Sequence, residues 1–292
     1  MINAPMRPIT NAERAALKAD GVVQLKQVLP LEWVDFLRQG MEQLYTSHLQ
    51  TEENPMERLT QATLAAGNEI LSDSPTTSGQ FFVKNSPSQI SSDLRRFAFD
   101  SPLPMIAADL YDADVVNFYF DQLFWKEAGS GKRTAFHQDE SYFNCTGDQC
   151  CTFWVAVDPV TKANGAMGYV RGSHLWQRQF AANVFVSQQQ LPGAVGEQIP
   201  DIEANEADYD IVYYDSEPGD VLVHNYRTLH GSTGNVSADR PRRSFAVRYT
   251  GDDVRYYQRP GAPEGAPSSQ TLNDGDRMDA PDFPAVWRRA EA

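Results

Sequence analysis

The chain has 292 residues, 41% of them hydrophobic, and a formal charge of −14 at neutral pH. That length and apolar content support one sizeable core, and β-sandwiches and barrels reach this size as single units. The acidic balance argues against broad nucleic-acid binding, and with no apolar run of membrane-spanning length and no signal-peptide core at the start, a cytoplasmic protein with no membrane partner is expected.

Thr10 and Glu13 form a capping-box pattern ahead of a short helix through Lys18, with Gly21 as its stop. Val22 to Leu25 reads as a strand. After Pro30, the residues Trp33, Phe36, Leu37, Met41 and Leu44 recur at helical intervals and predict an amphipathic helix from Leu31 to about Leu49. The polar stretch from Thr51 to Ser78 is ambiguous, with a helix around Glu57 to Ala66 followed by a loop. Further helices are predicted at Ser91 to Ala98 and Pro104 to Leu110. From Val115 the period shifts towards two, predicting strands at Val115 to Lys126, Cys150 to Val157, Gly168 to Val170, Ile211 to Tyr214, Asp220 to His224 and Ser244 to Thr250. Residues 177–210 lack periodicity, as a lid or a surface loop would. Beyond Gly251 the tail is rich in Pro, Gly, Ser and Asp, with Phe283, Val286 and Trp287 available to dock it.

Helices first and strands afterwards predict a mainly β chain of the α+β kind: a double-stranded β-helix, or cupin-like jelly roll, buttressed by N-terminal helices. The expected division is one domain over 1–292, with a helical part at about 10–112, a jelly-roll core at about 115–252 and an extended tail at 253–292.

Phe136-His137-Gln138-Asp139 carries the first chemical signal. Side chains alternate along a strand, so one short strand is expected to present His137 and Asp139 on one face and Gln138 on the other. A histidine from a distant strand would complete a 2-His-1-carboxylate face with open positions, the arrangement suited to non-haem Fe(II). By itself His-x-Asp is a weak motif. Five histidines are present. His48 lies near a helix end, and His174 follows a Gly-Ser turn, which shapes backbone more readily than it presents a ligand. His224, at the end of an apolar run, competes with His230 for the third position. Cys145, Cys150 and Cys151 lack the spacing of a zinc site, and Cys151 alternates with Phe153 and Val155 as a packing residue. Gly129-Ser130-Gly131-Lys132 falls short of a phosphate loop.

Gly219-Asp220-Val221-Leu222-Val223-His224-Asn225-Tyr226-Arg227-Thr228-Leu229-His230-Gly231-Ser232 is followed by Asn235 and Arg242. It is preceded by Trp154-Val155-Ala156-Val157-Asp158, Asn164-Gly165 and Gly168-Tyr169-Val170-Arg171-Gly172-Ser173-His174. In this order the motifs resemble the phytanoyl-CoA dioxygenase family of Fe(II)/2-oxoglutarate-dependent oxygenases over roughly residues 115–250. The resemblance implies that His137, Asp139 and His230 hold Fe(II), with 2-oxoglutarate and O2 in the open positions. It assigns the remote carboxylate of 2-oxoglutarate to Arg242, whose planar fork can bond both oxygens. Periodicity alone would instead turn Arg243 inward, together with Phe245, Val247 and Tyr249. The resemblance also brings Gln122, Trp154, Ser232 and Lys84 towards 2-oxoglutarate. Each has a plainer reading: core aromatic for Trp154, strand and turn residues for Gln122 and Ser232, solvated charge for Lys84.

The implied activity is hydroxylation of an unactivated C–H of a small-molecule metabolite, with release of succinate and CO2. Asp139 argues against halogenation, since halogenases of this type carry a small residue in its place. A cupin-like metal-binding protein without catalysis, a zinc hydrolase, and desaturation, epoxidation or cyclisation are the alternatives. Tyr142, Phe143, Phe81, Phe82 and the 177–210 segment are candidate pocket elements.

Overall fold

Helix α1 (Asn11–Asp20) begins where Thr10 and Glu13 cap each other: Glu13 N donates to Thr10 Oγ1 at 3.2 Å and Thr10 N to Glu13 Oε2 at 2.8 Å. It ends at Gly21, whose φ of 75° suits glycine and whose missing Cβ leaves room for His174 and Thr228. Strand β1 (Val22–Leu25) follows, then α2 (Leu31–Leu44), which continues as a π-type turn to Leu49. Next come α3 (Pro55–Ala65), β2 (Phe81–Asn85), α4 (Ser92–Asp100) and α5 (Leu103–Tyr111). The remaining chain is largely strand: β3 (Val115–Lys126), β4 (Thr134–His137), β5 (Cys145–Thr146), β6 (Cys150–Ala156), β7 (Met167–Val170), β8 (Ile211–Tyr213), β9 (Val221–Asn225), β10 (His230–Ser232), β11 (Arg242–Thr250), β12 (Arg255–Tyr256) and β13 (Ala285–Arg288). This computed structural model describes residues 1–49, 54–75 and 78–290, without the side chains of His48 and Leu49. The reading of His48, and those of residues 51–53 and 76–77, lie outside the described residues.

Eleven of these strands form the two facing antiparallel sheets of a jelly roll, and β5 and β12 pair separately. One sheet has seven strands in the order β1-β9-β6-β11-β3-β13, with β2 also paired to β3; the other has four in the order β4-β10-β7-β8. The division into helices first and strands later is therefore incomplete. β1 and β2 leave the helical part to join the large sheet, and β13 returns from the tail to pair with β3. The tail docks through Tyr256, Met278 and Phe283, which are buried against Tyr119 and Phe143.

Both faces of the large sheet are buried. On one face Leu123, Trp125, Phe153, Val155, Val223, Phe245 and Val247 pack with Trp33, Leu37, Phe97 and Ile106 of the helices. On the other, Phe124, Trp154, Leu222 and Ala246 look across to Met167 and Tyr169 of the smaller sheet. Residues 177–210 contain little regular structure but are well packed, with Phe180, Val186 and Ile202 fully buried. Among the described residues, no helix is long and apolar enough to cross a membrane.

Candidate active site

β4 ends at His137, and Asp139 is the first residue of a 3₁₀ turn, Asp139–Tyr142. The expectation that one strand carries both residues is thus corrected. The alternation nevertheless persists, because Gln138 between them keeps extended angles (φ −103°, ψ 135°). Gln138 is held on the opposite side, its Nε2 donating to Arg227 O at 2.7 Å and its Oε1 accepting from Phe180 N at 3.3 Å. His230 opens β10 directly across from His137 in the β10–β4 register. Strand pairing thus unites residues far apart in sequence.

Asp139 Oδ1 lies 3.8 Å from His137 Nε2 and 3.9 Å from His230 Nε2, and the group offers three ligand atoms within 4.8 Å of one another. In each histidine the other ring nitrogen is 2.8 Å from a backbone carbonyl, Ala135 O for His137 and Thr228 O for His230. These bonds place the proton on Nδ1 and leave both Nε2 lone pairs facing the shared point. Burial and a neighbouring histidine push His137 and His230 down to about 3, so both are neutral at physiological pH. Burial by itself would raise Asp139. Arg248, His224 and His230 nevertheless hold it well below the usual carboxylate range. Two neutral imidazoles and one carboxylate are the protonation states that a divalent metal requires.

The second carboxylate oxygen is held from behind. Thr152 Oγ1 donates to Asp139 Oδ2 at 2.5 Å, and Arg248 Nε stands 3.5 Å from the same oxygen and 3.1 Å from Thr152 Oγ1. This shell turns Oδ1 towards the imidazoles. His224 is fully buried beside it, with Nε2 3.6 Å from Oδ2 and no hydrogen-bond partner on either ring nitrogen. It flanks the ligand group without joining it. His174 lies at the Gly-Ser turn, its Nε2 3.2 Å from Lys18 O.

The buried groups make acid destabilising. Both histidines have folded values below the unfolded 6.5 and so take up protons mainly on unfolding, while Asp139 loses its native advantage as it protonates. All three effects have the same sign. Metal-free protein is expected to lose thermal stability progressively as pH falls from about 6.5 towards 3, as melting curves across that range would show.

From His137 and His230 a narrow slot runs between the sheets to Arg242, lined by Thr134, Trp154, Met167, Phe185 and Ser232. Arg242 is 2% exposed, its Nη1 donates to Ser244 Oγ at 2.9 Å, and its Nε has no partner. Burial lowers it only to about 10, so it stays a cation at neutral pH. Gly165 makes room for it, since a Cβ there would stand 2.8 Å from Arg242 Nε. Trp154 presents its ring 5.7 Å from the guanidinium. Arg243 faces the helices, where Asp158 and Glu42 take its guanidinium at 2.5 to 2.8 Å. Ser232 Oγ accepts from Lys126 Nζ at 2.9 Å.

On the other side of His137 and Asp139 opens a cavity of about 630 Å³, bounded by α3, β2, β3 and the tail segment 263–267. Gln122 lines this cavity and not the Arg242 slot, its Nε2 donating to Asn85 Oδ1 at 2.8 Å. Val83 and Asn85 also face it, which turns Lys84 to the other side of β2. Of the four pocket aromatics, Tyr142 and Phe143 line it; Phe81 and Phe82 do not. Motif reading overlooked Thr152, Arg248, Lys126 and Phe185. A period-two signal was present for two of them: Arg248 continues the Arg242, Ser244, Ala246 face, and Thr152 precedes Trp154 by two.

The chain is similar to a probable phytanoyl-CoA dioxygenase of Caenorhabditis elegans, 27% identical over 139 residues, covering 45% of this chain and 42% of the relative. It is also similar to a probable alpha-ketoglutarate-dependent hypophosphite dioxygenase of Stutzerimonas stutzeri, 29% identical over 125 residues, covering 43% of this chain and 42% of the relative. The matches thus span less than half the length of these curated relatives. Among solved structures, the non-heme alpha ketoglutarate dependent carbocyclase SnoK from nogalamycin biosynthesis shares the fold with a TM-score of 0.68 at 23% identity, over 96% of this chain and 97% of that one. EctD from S. alaskensis, solved with 2-oxoglutarate and 5-hydroxyectoine, gives 0.62 at 20% identity, over 93% and 86%. The sequence profile of Phytanoyl-CoA dioxygenase (PhyH) matches residues 17–244, and the chain belongs to that family.

Proposed function

We propose that this protein is an Fe(II)- and 2-oxoglutarate-dependent oxygenase that hydroxylates an unactivated C–H bond of a small-molecule metabolite, with O2 consumed and succinate and CO2 released. The observation that carries this reading is the pairing of a three-ligand face with a buried arginine that, among the described residues, makes no ion pair with a carboxylate, at the far end of one slot. His137, Asp139 and His230 would hold Fe(II), and Arg242 would take the distal carboxylate of 2-oxoglutarate. When bound, the metal and co-substrate supply the oxidising power.

The chain's own part is to orient, neutralise and exclude water. Thr152 and Arg248 keep Asp139 pointing at the metal position, and the two backbone carbonyls keep the imidazoles in the ligating tautomer. Trp154 and Met167 wall the slot. Arg242 supplies a desolvated cation where a carboxylate is worth more than in water. Retention of Asp139 favours hydroxyl transfer over halide transfer, and the larger cavity beside His137 would hold the substrate.

The direct test is anaerobic addition of Fe(II) and 2-oxoglutarate, watched for the visible charge-transfer band, followed by air and assay of succinate. Absence of the band in folded protein would exclude the reading. Lys126 offers a finer check. Its amine is fully buried, donates to Ser232 Oγ and Thr233 O, and sits opposite Arg242 in the β3–β11 register. By donating to Ser232 Oγ it leaves the Ser232 hydroxyl proton available to a carboxylate in the slot. Lys126→Met is expected to weaken 2-oxoglutarate binding by roughly tenfold, the worth of one hydrogen bond to a charged group, as read from titration of the band.

A further inference from the structure

The cavity beside the metal position restricts what can enter it. Its walls are mostly hydrocarbon: Met56, Leu59, Val83, Phe120, Phe143 and Phe185 face it. Phe185 stands 5.0 Å from the His137 ring and stacks on Phe124 at 6.1 Å, while Tyr142 meets His137 edge-on at 5.7 Å. The Tyr142 hydroxyl is already committed, donating to Asn183 O at 2.8 Å, so its ring is what the cavity sees. Apart from the metal-ligand pair, the charged side chains of the lining are Arg58 and Glu264, opposite in sign and both exposed. The tail side of the cavity is anchored, with Asn144 Nδ2 holding Pro267 O at 3.1 Å and Ala266 N bonded to Pro263 O at 3.0 Å.

Asn183 also lines the cavity, but its amide is committed to Phe136 O and to the Tyr142 hydroxyl, which leaves a second polar feature facing the ligand space. Gln122 and Asn85 are direct register partners on β3 and β2, joined through Gln122 Nε2 and Asn85 Oδ1 at 2.8 Å. That bond leaves one amide oxygen on Gln122 and one amide nitrogen on Asn85, side by side, as an acceptor and a donor. An apolar cavity with a few placed polar groups selects a ligand by shape and by one or two hydrogen bonds. Aromatic walls favour ring faces and edges.

We propose that the substrate is an uncharged, mainly apolar ring molecule whose hydroxyl or carbonyl is held by the Gln122–Asn85 amide pair. The proposal rests on the oxygenase reading above, and it moves Gln122 from the co-substrate to the substrate. Acyl-CoA thioesters and phosphorus oxyanions bring net negative charge, which a lining with one exposed cation and one exposed anion does not match, and a small zwitterion brings little of the apolar surface that these walls would cover. Burying such charge unpaired costs far more than the cavity returns.

The full chain is first loaded anaerobically with Fe(II) and 2-oxoglutarate until the visible band forms, a step that tests the oxygenase reading alone. The probes are then 9-hydroxyfluorene, 9-fluorenone, fluorene, glycine betaine and palmitoyl-CoA, each titrated against the band and the melting temperature. The two oxygenated ring probes are expected to perturb the band and raise the melting temperature, ahead of betaine and palmitoyl-CoA. Gln122→Leu should weaken both oxygenated probes by roughly tenfold while leaving fluorene unchanged, since only the polar anchor is lost. Should Gln122→Leu fail to fold, Asn85→Leu at its exposed partner reads the same anchor. The proposal is overturned if the band forms but neither oxygenated ring perturbs it, if betaine or palmitoyl-CoA acts at lower concentration, or if the leucine variant weakens fluorene equally.

Discussion

Asp139→Ala is expected to abolish Fe(II) binding at micromolar metal and with it the charge-transfer band and succinate formation. The loss should exceed the roughly 10- to 100-fold that changes behind a ligand typically cost, because here the ligand itself is removed. The same substitution has a structural consequence. Arg248 is buried, its Nε faces Asp139 Oδ2 at 3.5 Å, and its Nη1 has no partner. Without the carboxylate it is a buried cation that has lost its ion-pair partner, and the loss of one partner from such a pair costs about 3–5 kcal/mol. A lower melting temperature of the metal-free variant is therefore predicted. Asp139→Asn provides the control: it can still accept from Thr152 and keeps the shape, so it should fold with less loss yet bind Fe(II) poorly. If Asp139→Ala binds Fe(II) and 2-oxoglutarate like the parent, the metal is not held where proposed.

Arg242→Met should raise the 2-oxoglutarate dissociation constant by at least tenfold, because truncating one side of a buried charge pair costs about 2–5 kcal/mol. Its effect on the metal-free fold has the opposite sign to that of Asp139→Ala. Arg242 carries a buried charge with an unbonded Nε and, among the described residues, Ser244 Oγ as its one side-chain hydrogen-bond partner, so replacing it with hydrocarbon should leave the melting temperature unchanged or raise it. Arg243→Met reverses both outcomes. It breaks the contacts with Asp158 and Glu42 and should lower stability, while 2-oxoglutarate affinity stays within about twofold, the size of a surface-pair effect. Isothermal titration and melting curves on the two variants separate the roles, and equal affinity losses in both would refute the assignment of Arg242.

The choice between these arginines shows where sequence reasoning met its limit. A strand that buries one face marks that face by its apolar residues, and on that rule Phe245, Val247 and Tyr249 would have carried Arg243 inward. In the fold those residues pack against the helices, and the Arg242, Ser244, Ala246 face lines the site. Both faces are buried, so hydrophobicity could not say which of them meets the chemistry. Gln122 illustrates the same limit. Alternation places it inward, but whether inward means slot or cavity depends on β2 lying beside β3, a pairing between residues about 40 positions apart.

Local rules were enough for the capping box of α1, the extent of β3 and the common side of His137 and Asp139. Each depends on backbone geometry within a few residues, and the sequence by itself determined them. It also supplied the residue types of the candidate metal site, two imidazoles and a carboxylate, which are chemical identities independent of folding. The tertiary structure alone decided that His230 stands across from His137, that Thr152 and Arg248 grip the far oxygen of Asp139, and that Arg242 and not Arg243 is left without a carboxylate. Those outcomes follow from strand order and from helices covering the back of the sheet. They are set by the free energy of burying both faces at once, a property of the whole assembly that no single window of residues contains.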